Sequence, residues 1–173
     1  MSQNYFSLFN LPEKFSIDLA ALDANYRKLQ AEVHPDKFVT ATPAERLKSM
    51  QTATLANEAY QTLKNPTARA RYMLEAQGSA TLEESNTAMP ADFLMLQMEW
   101  REAIEDAKAA KDIAALDAQL ATMQTMAKNL QENLAITLAD KNTLPEAAQI
   151  VRKLSFIDKV SSDVKNIITQ LED

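Results

Sequence analysis

The sequence contains no cysteine and a single histidine, His34. Structural zinc and iron–sulphur centres bind through several thiolates or imidazoles, so this chain cannot hold such a centre by itself. A cysteine nucleophile is excluded, and so is a serine triad built on any other histidine. These absences exclude most classes of enzyme, and we expect no bound metal, no cofactor and no catalytic residue.

Glycine is almost absent as well, since Gly78 is the only one among 173 residues. A chain with so little glycine has few β-turns, and it lacks the glycine-rich loops that bind nucleotide phosphates. Apolar residues make up 46% of the chain and charged residues 24%, which is typical of a helical globular protein. We predict an all-α fold.

Long apolar segments are also missing. No run approaches the roughly 20 residues that a membrane-spanning helix needs. The N-terminal segment "MSQNYFSLFN" lacks the basic and apolar regions of a secretory signal, and it is not an arginine-rich organelle-targeting sequence. We expect a cytoplasmic protein with no membrane partner.

Charge is distributed unevenly along the chain. Residues 1–76 carry 9 basic and 8 acidic residues, a net charge of +1, whereas residues 77–173 carry 9 and 16, a net charge of −7. A nucleic-acid surface normally presents a basic stripe, which this acidic half does not offer. The asymmetry favours two surfaces with different protein partners and argues against nucleic acid.

Helix signals are frequent in the first half. Ser16 is a candidate cap for a helix that ends before Pro35, because proline disfavours helical geometry at the preceding residue. The four residues from Thr42 to Glu45 predict a capping box at the start of a helix that reaches about residue 64. A third helix is expected from Pro66 to a glycine stop at Gly78. Apolar spacing predicts that the following side chains of the first two helices face inward: Leu19, Leu22, Tyr26, Leu29 and Val33, then Leu47, Met50, Leu55, Ala59, Tyr60 and Leu63.

The second half predicts a three-helix bundle. Residues 79–89 are polar and poor in helix formers, and they are the best candidate for a linker. Beyond them, helical patterns cover roughly residues 91–109, 112–139 and 144–171, and Thr143 is a candidate for a second capping box. Short connections make successive helices antiparallel. We therefore expect domains at 1–76 and 91–173, joined by a linker at 77–90.

The loop His34-Pro35-Asp36 has two interpretations. In the first, a histidine at a helix end, a proline that stops the helix and an aspartate that starts a turn are an ordinary way to end a helix. In the second, the three residues form a functional motif, and the surrounding segments favour this interpretation. Upstream lies "YRKL", beginning at Tyr26, and downstream lies the pattern "EAYQTL.NP..R..Y", beginning at Glu58. Together these segments resemble the J-domain, a helical hairpin with an HPD loop at its tip.

In the J-domain family this hairpin docks on a DnaK-type chaperone and stimulates its ATP hydrolysis. The resemblance implies that the loop contacts the chaperone and that basic residues near it provide electrostatic attachment. Its implied chaperone-binding residues are His34, Pro35, Asp36, Arg27, Lys28 and Lys37.

The whole chain is similar to the HscB co-chaperone family, which pairs a J-domain with an acidic three-helix bundle. "HPDKF", "FLM.Q.E.RE" at residues 93–102 and "VRKLSFIDK" at residues 151–159 carry this likeness. It implies two partners, the DnaK-type chaperone HscA and the iron–sulphur scaffold protein IscU. It also implies a bacterial form, because eukaryotic members of the family carry organelle-targeting and cysteine-bearing extensions. The implied scaffold-binding residues are Leu94, Met95, Met98, Glu99, Glu102, Asp106 and Phe156. Met98 stands where leucine is more common in the family, and Asp106 where glutamate is usual.

The apolar members of this set have a competing interpretation as core residues. The clean core stripe on that helix is Phe93, Leu96 and Trp100 with Ala103 and Ala107, which leaves Leu94, Met95 and Met98 as candidates for an exposed patch. Three other functions stay open. They are a general adaptor whose bundle holds unfolded clients, a helical scaffold with a vestigial loop, and an enzyme that relies on scattered carboxylates.

Overall fold

The computed structural model describes residues 4–78 and 89–173, and all regular secondary structure in them is helical. This confirms the predicted all-α fold. The predicted linker falls largely on residues 79–88, which lie outside the described residues. The elements are α1 (Tyr5–Leu8), α2 (Leu19–Glu32), a 3-10 helix (Pro35–Phe38), α3 (Pro43–Lys64), α4 (Pro66–Ala76), α5 (Ala91–Ala109), α6 (Ile113–Thr137), a 3-10 helix (Lys141–Thr143) and α7 (Leu144–Glu172).

The chain divides into two compact units, Met1–Met73 and Leu74–Asp173. In the first unit, α2 packs antiparallel to α3 and α1 packs against α3. In the second, α6 packs against both α5 and α7. Among the helices of the described residues, none has the length and apolar character needed to cross a bilayer.

The predicted capping box begins α3. The Thr42 hydroxyl accepts the Glu45 backbone N–H at 3.2 Å, and the Glu45 carboxylate accepts the Thr42 N–H at 3.4 Å. The predicted Ser16 cap is wrong, because α2 begins two residues later. Asp18 accepts the N–H groups of Ala20 and Ala21 at 3.0 and 3.1 Å, and one carboxylate that satisfies two free helix donors is the better cap.

Two tyrosines hold the hairpin of α2 and α3 together. The rings of Tyr26 and Tyr60 lie 4.0 Å apart, and the Tyr60 hydroxyl donates to the Asp23 carboxylate at 2.6 Å. That hydrogen bond is the main reason why the pKa of Tyr60 is raised above its ordinary value. The Tyr26 hydroxyl donates to the Asn57 side chain as a second cross-link.

The packed face of α3 differs from the prediction. Four side chains expected to face inward are exposed: Leu19, Leu47, Met50 and Leu55. Leu22 of α2 and Ala59 and Leu63 of α3, which were also expected to face inward, have no exposed area, and neither has Ala56 of α3. The sequence of α3 carries two faces with apolar residues, and the alanine face is the one that allows α2 to approach closely.

A buried arginine connects the end of this unit to its beginning. Arg69 is buried, and it donates from Nε to the Leu63 carbonyl at 2.8 Å and from Nη1 to the Phe15 carbonyl at 2.7 Å. Its guanidinium also lies 5.1 Å from the centre of the Phe15 ring. Burial lowers the pKa of Arg69.

Just after α4, Gly78 has a φ of +66°, in agreement with the predicted glycine stop.

The second unit is the predicted three-helix bundle. Its core includes Trp100 of α5, Met123 and Leu134 of α6, and Leu154 of α7.

The predicted capping box at Thr143 is wrong. Its hydroxyl donates to the Thr137 carbonyl at 2.7 Å and to the Asp140 carbonyl at 3.0 Å, so it satisfies a free carbonyl at the end of α6 instead of capping α7.

Candidate functional site

The loop between α2 and α3 is a short, well-defined turn. His34 has an extended backbone, with φ −61° and ψ +136°, as expected for a residue before proline. The chain then turns through the 3-10 helix Pro35–Phe38, where the Lys37 N–H donates to the His34 carbonyl at 3.0 Å. The predicted helix end before Pro35 is therefore confirmed.

The His34 side chain stabilises this turn. Its Nδ1 accepts the Asp36 backbone N–H at 3.2 Å, and the same nitrogen lies 3.5 Å from the Asp36 carboxylate. One nitrogen cannot accept a proton from the backbone and donate one to the carboxylate at the same time. The shorter contact, from the Asp36 N–H, is the one by which the imidazole caps the loop.

The Asp36 carboxylate is presented to solvent. Its side chain is 89% exposed and that of His34 is 58% exposed. The backbone of the loop is thus fixed by internal hydrogen bonds, whereas the carboxylate stays available to another molecule. This arrangement suits recognition of a donor on a partner protein.

Ser49, on α3, supports the loop, although it was not among the predicted site residues. It is buried, and its hydroxyl donates to the Val33 carbonyl at 2.8 Å. Val33 caps the end of α2 and directly precedes His34. A serine inside a helical pattern usually faces solvent or bonds to its own helix, so no sequence signal distinguishes this one.

A cleft of about 330 Å³ lies beside the loop. Its lining residues come from the last turns of α2, the loop and the facing side of α3: Gln30, Ala31, Val33, His34, Pro35, Ala53 and Asn57. The predicted basic residues are exposed near it, Arg27 and Lys28 on α2 and Lys37 in the loop. At 1.5 Å per residue, the α2 pair lies roughly 10 Å before His34 along the chain.

The predicted apolar patch of α5 is exposed. Leu94, Met95 and Met98 are 43%, 63% and 71% exposed, whereas Phe93 and Trp100 are buried. The predicted core stripe is only partly right, because Leu96 is half-buried and Ala103 is exposed. Ile104 is buried instead. Positions 93, 100, 104 and 107 follow the helical period more closely and form the packed face.

Phe156 of α7 packs against α5 at the edge of this patch. Its half-buried ring meets the Phe93 ring edge-on at 5.8 Å and stacks on the Trp100 ring at 6.3 Å. The Arg101 guanidinium lies 5.6 Å from the ring centre. Phe156 is therefore fixed in place by core neighbours while part of its ring reaches the surface.

The exposed side of α5 has two flanks. At about 100° per residue, Leu94, Met98 and Arg101 fall on the same flank. This flank faces α7, because the Arg101 guanidinium lies near the Phe156 ring. The other flank carries one apolar and three acidic side chains, all exposed: Met95, Glu99, Glu102 and Asp106. Apolar groups and carboxylates thus lie side by side on one helix.

Within residues 4–78 and 89–173, no three histidine, cysteine, aspartate or glutamate side chains are grouped closely enough to hold a metal ion. In the described residues, two exposed surfaces are the candidates for binding a partner. One is a rigid loop that offers a carboxylate, and the other is an apolar and acidic helix face.

Comparison with known proteins agrees with this description. Residues 89–165 match a family model described as the HSCB C-terminal oligomerisation domain. A protein of Paraburkholderia phymatum named "Co-chaperone protein HscB homolog" is 47% identical over 172 residues, which cover 99% of this chain and 98% of that protein.

Two solved structures are similar over almost the whole chain. Chaperone HscB from Vibrio cholerae superimposes with a TM-score of 0.85 at 40% identity, covering 98% of this chain and 99% of its own. The human co-chaperone protein HscB superimposes with a TM-score of 0.84 at 29% identity, covering 95% and 81%.

Proposed function

The chain belongs to the HscB co-chaperone family, and from this premise we propose that it stimulates the ATPase of the DnaK-type chaperone HscA and delivers the scaffold protein IscU to it during iron–sulphur cluster assembly. Residues 1–76 act as the J-domain and residues 91–173 bind the scaffold. The chain is an activator of a partner enzyme and performs no reaction on a substrate itself.

The observation that carries the proposal is the exposed Asp36 carboxylate on a turn fixed by its own hydrogen bonds. A carboxylate accepts two parallel hydrogen bonds from an arginine, and such a pair contributes most when an interface removes it from water. Because Pro35 and the His34 cap already restrict the backbone, little conformational entropy is lost when the loop docks.

Arg27, Lys28 and Lys37 supply the long-range part of the interaction. Exposed charges raise the rate at which a protein meets an oppositely charged surface, and salt weakens that effect. We assign these three residues to attraction of an acidic chaperone surface, with Asp36 making the contact that follows.

The exposed face of α5 supports delivery of the scaffold. Leu94, Met95 and Met98 provide apolar area for the centre of an interface, and flexible methionines adapt to a partner's shape. The neighbouring carboxylates Glu99 and Glu102, together with Asp106, orient a partner that carries positive charge. Phe156 extends the apolar area from α7.

The rate of ATP hydrolysis by HscA tests the proposal when it is measured with the full chain alone, with IscU alone and with both. Delivery predicts that the two together stimulate hydrolysis by more than the product of their separate effects. A denatured peptide that replaces IscU equally well would contradict this function, and it would favour a general adaptor for unfolded clients.

A further inference from the structure

Methionine is unevenly exposed in this chain. Seven of the eight methionines lie in the described residues. Met50, Met95 and Met98 are all more than 60% exposed, whereas Met73 and Met123 are buried. Met89 and Met126 are half-buried. Two of the three exposed thioethers therefore lie within one turn of each other, at the centre of the proposed scaffold-binding face.

An exposed thioether is open to two-electron oxidation. A hydroperoxide transfers one oxygen atom to the sulphur, so the O–O bond breaks, an S=O bond forms, and the peroxide is reduced to water or an alcohol. The product, methionine sulfoxide, is polar, and reductases convert it back to methionine. Leucine, which the family resemblance places more commonly at position 98, offers no such chemistry.

We infer that Met95 and Met98 form a reversible oxidation site for hydroperoxides, and that their oxidation switches off scaffold binding. This inference rests on the proposed function, because it assigns a form of regulation to the same face. Each sulfoxide carries a strong hydrogen-bond acceptor into the apolar centre of the interface, where it loses its water.

The neighbours of Met95 make this loss harder to compensate. Glu99 and Glu102 lie on its flank of α5, and ionised carboxylates are acceptors that cannot donate to a sulfoxide oxygen. An unsatisfied acceptor in an interface weakens binding considerably. We expect affinity for the scaffold to fall by at least roughly tenfold, which corresponds to about 1.4 kcal/mol.

The experiment treats the full chain with hydrogen peroxide, removes the peroxide, and maps sulfoxides by peptide mass spectrometry. Met50, Met95 and Met98 should be oxidised well before Met73 and Met123. Calorimetric titration with IscU then compares each protein before oxidation, after it, and after treatment with methionine sulfoxide reductases. Affinity should fall on oxidation and return after reduction.

Two variants identify the residues responsible, each compared with its own untreated form. M95L/M98L should be insensitive to peroxide although Met50 is still oxidised. M50L, which lacks the exposed methionine of the other unit, should stay as sensitive as the unaltered chain. In M50L, stimulation of HscA without scaffold should not change on oxidation, which shows that the first unit is intact.

Unchanged affinity after both sulfoxides have formed would overturn the inference, and so would an equal loss of affinity in M95L/M98L. Failure of the proposed function has a different signature. In that case the untreated chain would already fail to bind IscU. The order in which its methionines are oxidised would have no bearing on that result.

Discussion

The Ser49 hydroxyl donates a hydrogen bond to the Val33 carbonyl at 2.8 Å, across the interface between α3 and the end of α2. This contact fixes the residue that directly precedes the loop His34-Pro35-Asp36. The loop is therefore positioned from both sides, by Ser49 at its base and by the His34 imidazole within the turn. The position of the loop therefore depends on both helices of the hairpin.

Replacing Ser49 by alanine should destabilise the first unit by about 1–2 kcal/mol, because the part-buried Val33 carbonyl loses its partner. Stimulation of the chaperone should weaken as well, since the base of the loop is no longer held. Urea unfolding and ATPase assays measure the two effects. Ser16→Ala is the matched control and should change stability by less than about 0.5 kcal/mol, because Asp18 is the residue that caps α2. A larger loss from Ser16→Ala would contradict that cap assignment.

The hydrogen bond from Tyr60 to Asp23 predicts a specific pH dependence. The pKa of Tyr60 is raised in the folded protein, chiefly by this bond. The folded state therefore holds the phenolic proton more tightly than the unfolded chain, and the resulting stability is fully present below the ordinary tyrosine pKa of 10.0. It is lost as pH rises through the folded pKa. Tyr60→Phe should be less stable than the unaltered chain at neutral pH, and urea unfolding should show the difference shrink above pH 10. A difference that persists unchanged there would contradict the role of the hydroxyl.

Replacing Arg69 by methionine should destabilise the first unit by roughly 2–4 kcal/mol. The apolar stem is kept, but the Leu63 and Phe15 carbonyls lose charged donors. Thermal unfolding followed by circular dichroism measures this loss. Arg46→Met removes an exposed arginine of α3 and should lie within about 0.5 kcal/mol of the unaltered chain. Equal stability of the two variants would show that the buried guanidinium adds nothing.

If the exposed face of α5 binds the scaffold as we propose, the double variant L94A/M95A should weaken binding of IscU by at least roughly tenfold, because apolar area is lost from the centre of the proposed interface. Stability should change little, since both side chains are exposed. Ile136→Ala is the matched control, as Ile136 is an apolar residue of α6 that is 71% exposed. Calorimetric titration should find no effect of Ile136→Ala. Equal losses in the two proteins would show that exposed apolar area in general binds the scaffold.

Helix positions were largely predictable because their signals are local. The capping box at Thr42, the proline at position 66 and the periodicity of residues 91–109 correspond to α3, α4 and α5. Errors arose where two residues compete for one role. Asp18 caps α2 in place of Ser16, and the Thr143 hydroxyl bonds to the preceding helix. In both cases the three-dimensional course of the turn decides which backbone groups the side chain can reach, and the sequence does not show that course.

Packing was less predictable than helix position. Periodicity shows that α3 has apolar residues on more than one face, but it does not show which face meets α2. The exposed Leu47, Met50 and Leu55 were therefore expected to face inward together with the buried Ala59 and Leu63. Ser49 was missed because its partner, the Val33 carbonyl, is distant in sequence. On α5 the exposure of Leu94, Met95 and Met98 could be predicted, since a helix with apolar residues all round cannot bury them all.

The most direct test of the central claim is the ATPase activity of HscA, measured in single turnovers with the full chain carrying Asp36→Asn or Glu75→Gln. Both changes remove one exposed carboxylate from the same half of the chain, and both proteins should keep the helical circular dichroism of the unaltered chain. We predict that Asp36→Asn lowers stimulation by at least roughly tenfold, because it removes the charge proposed to pair with an arginine of the chaperone, and that Glu75→Gln has no effect. Full stimulation by a correctly folded Asp36→Asn protein would contradict this prediction.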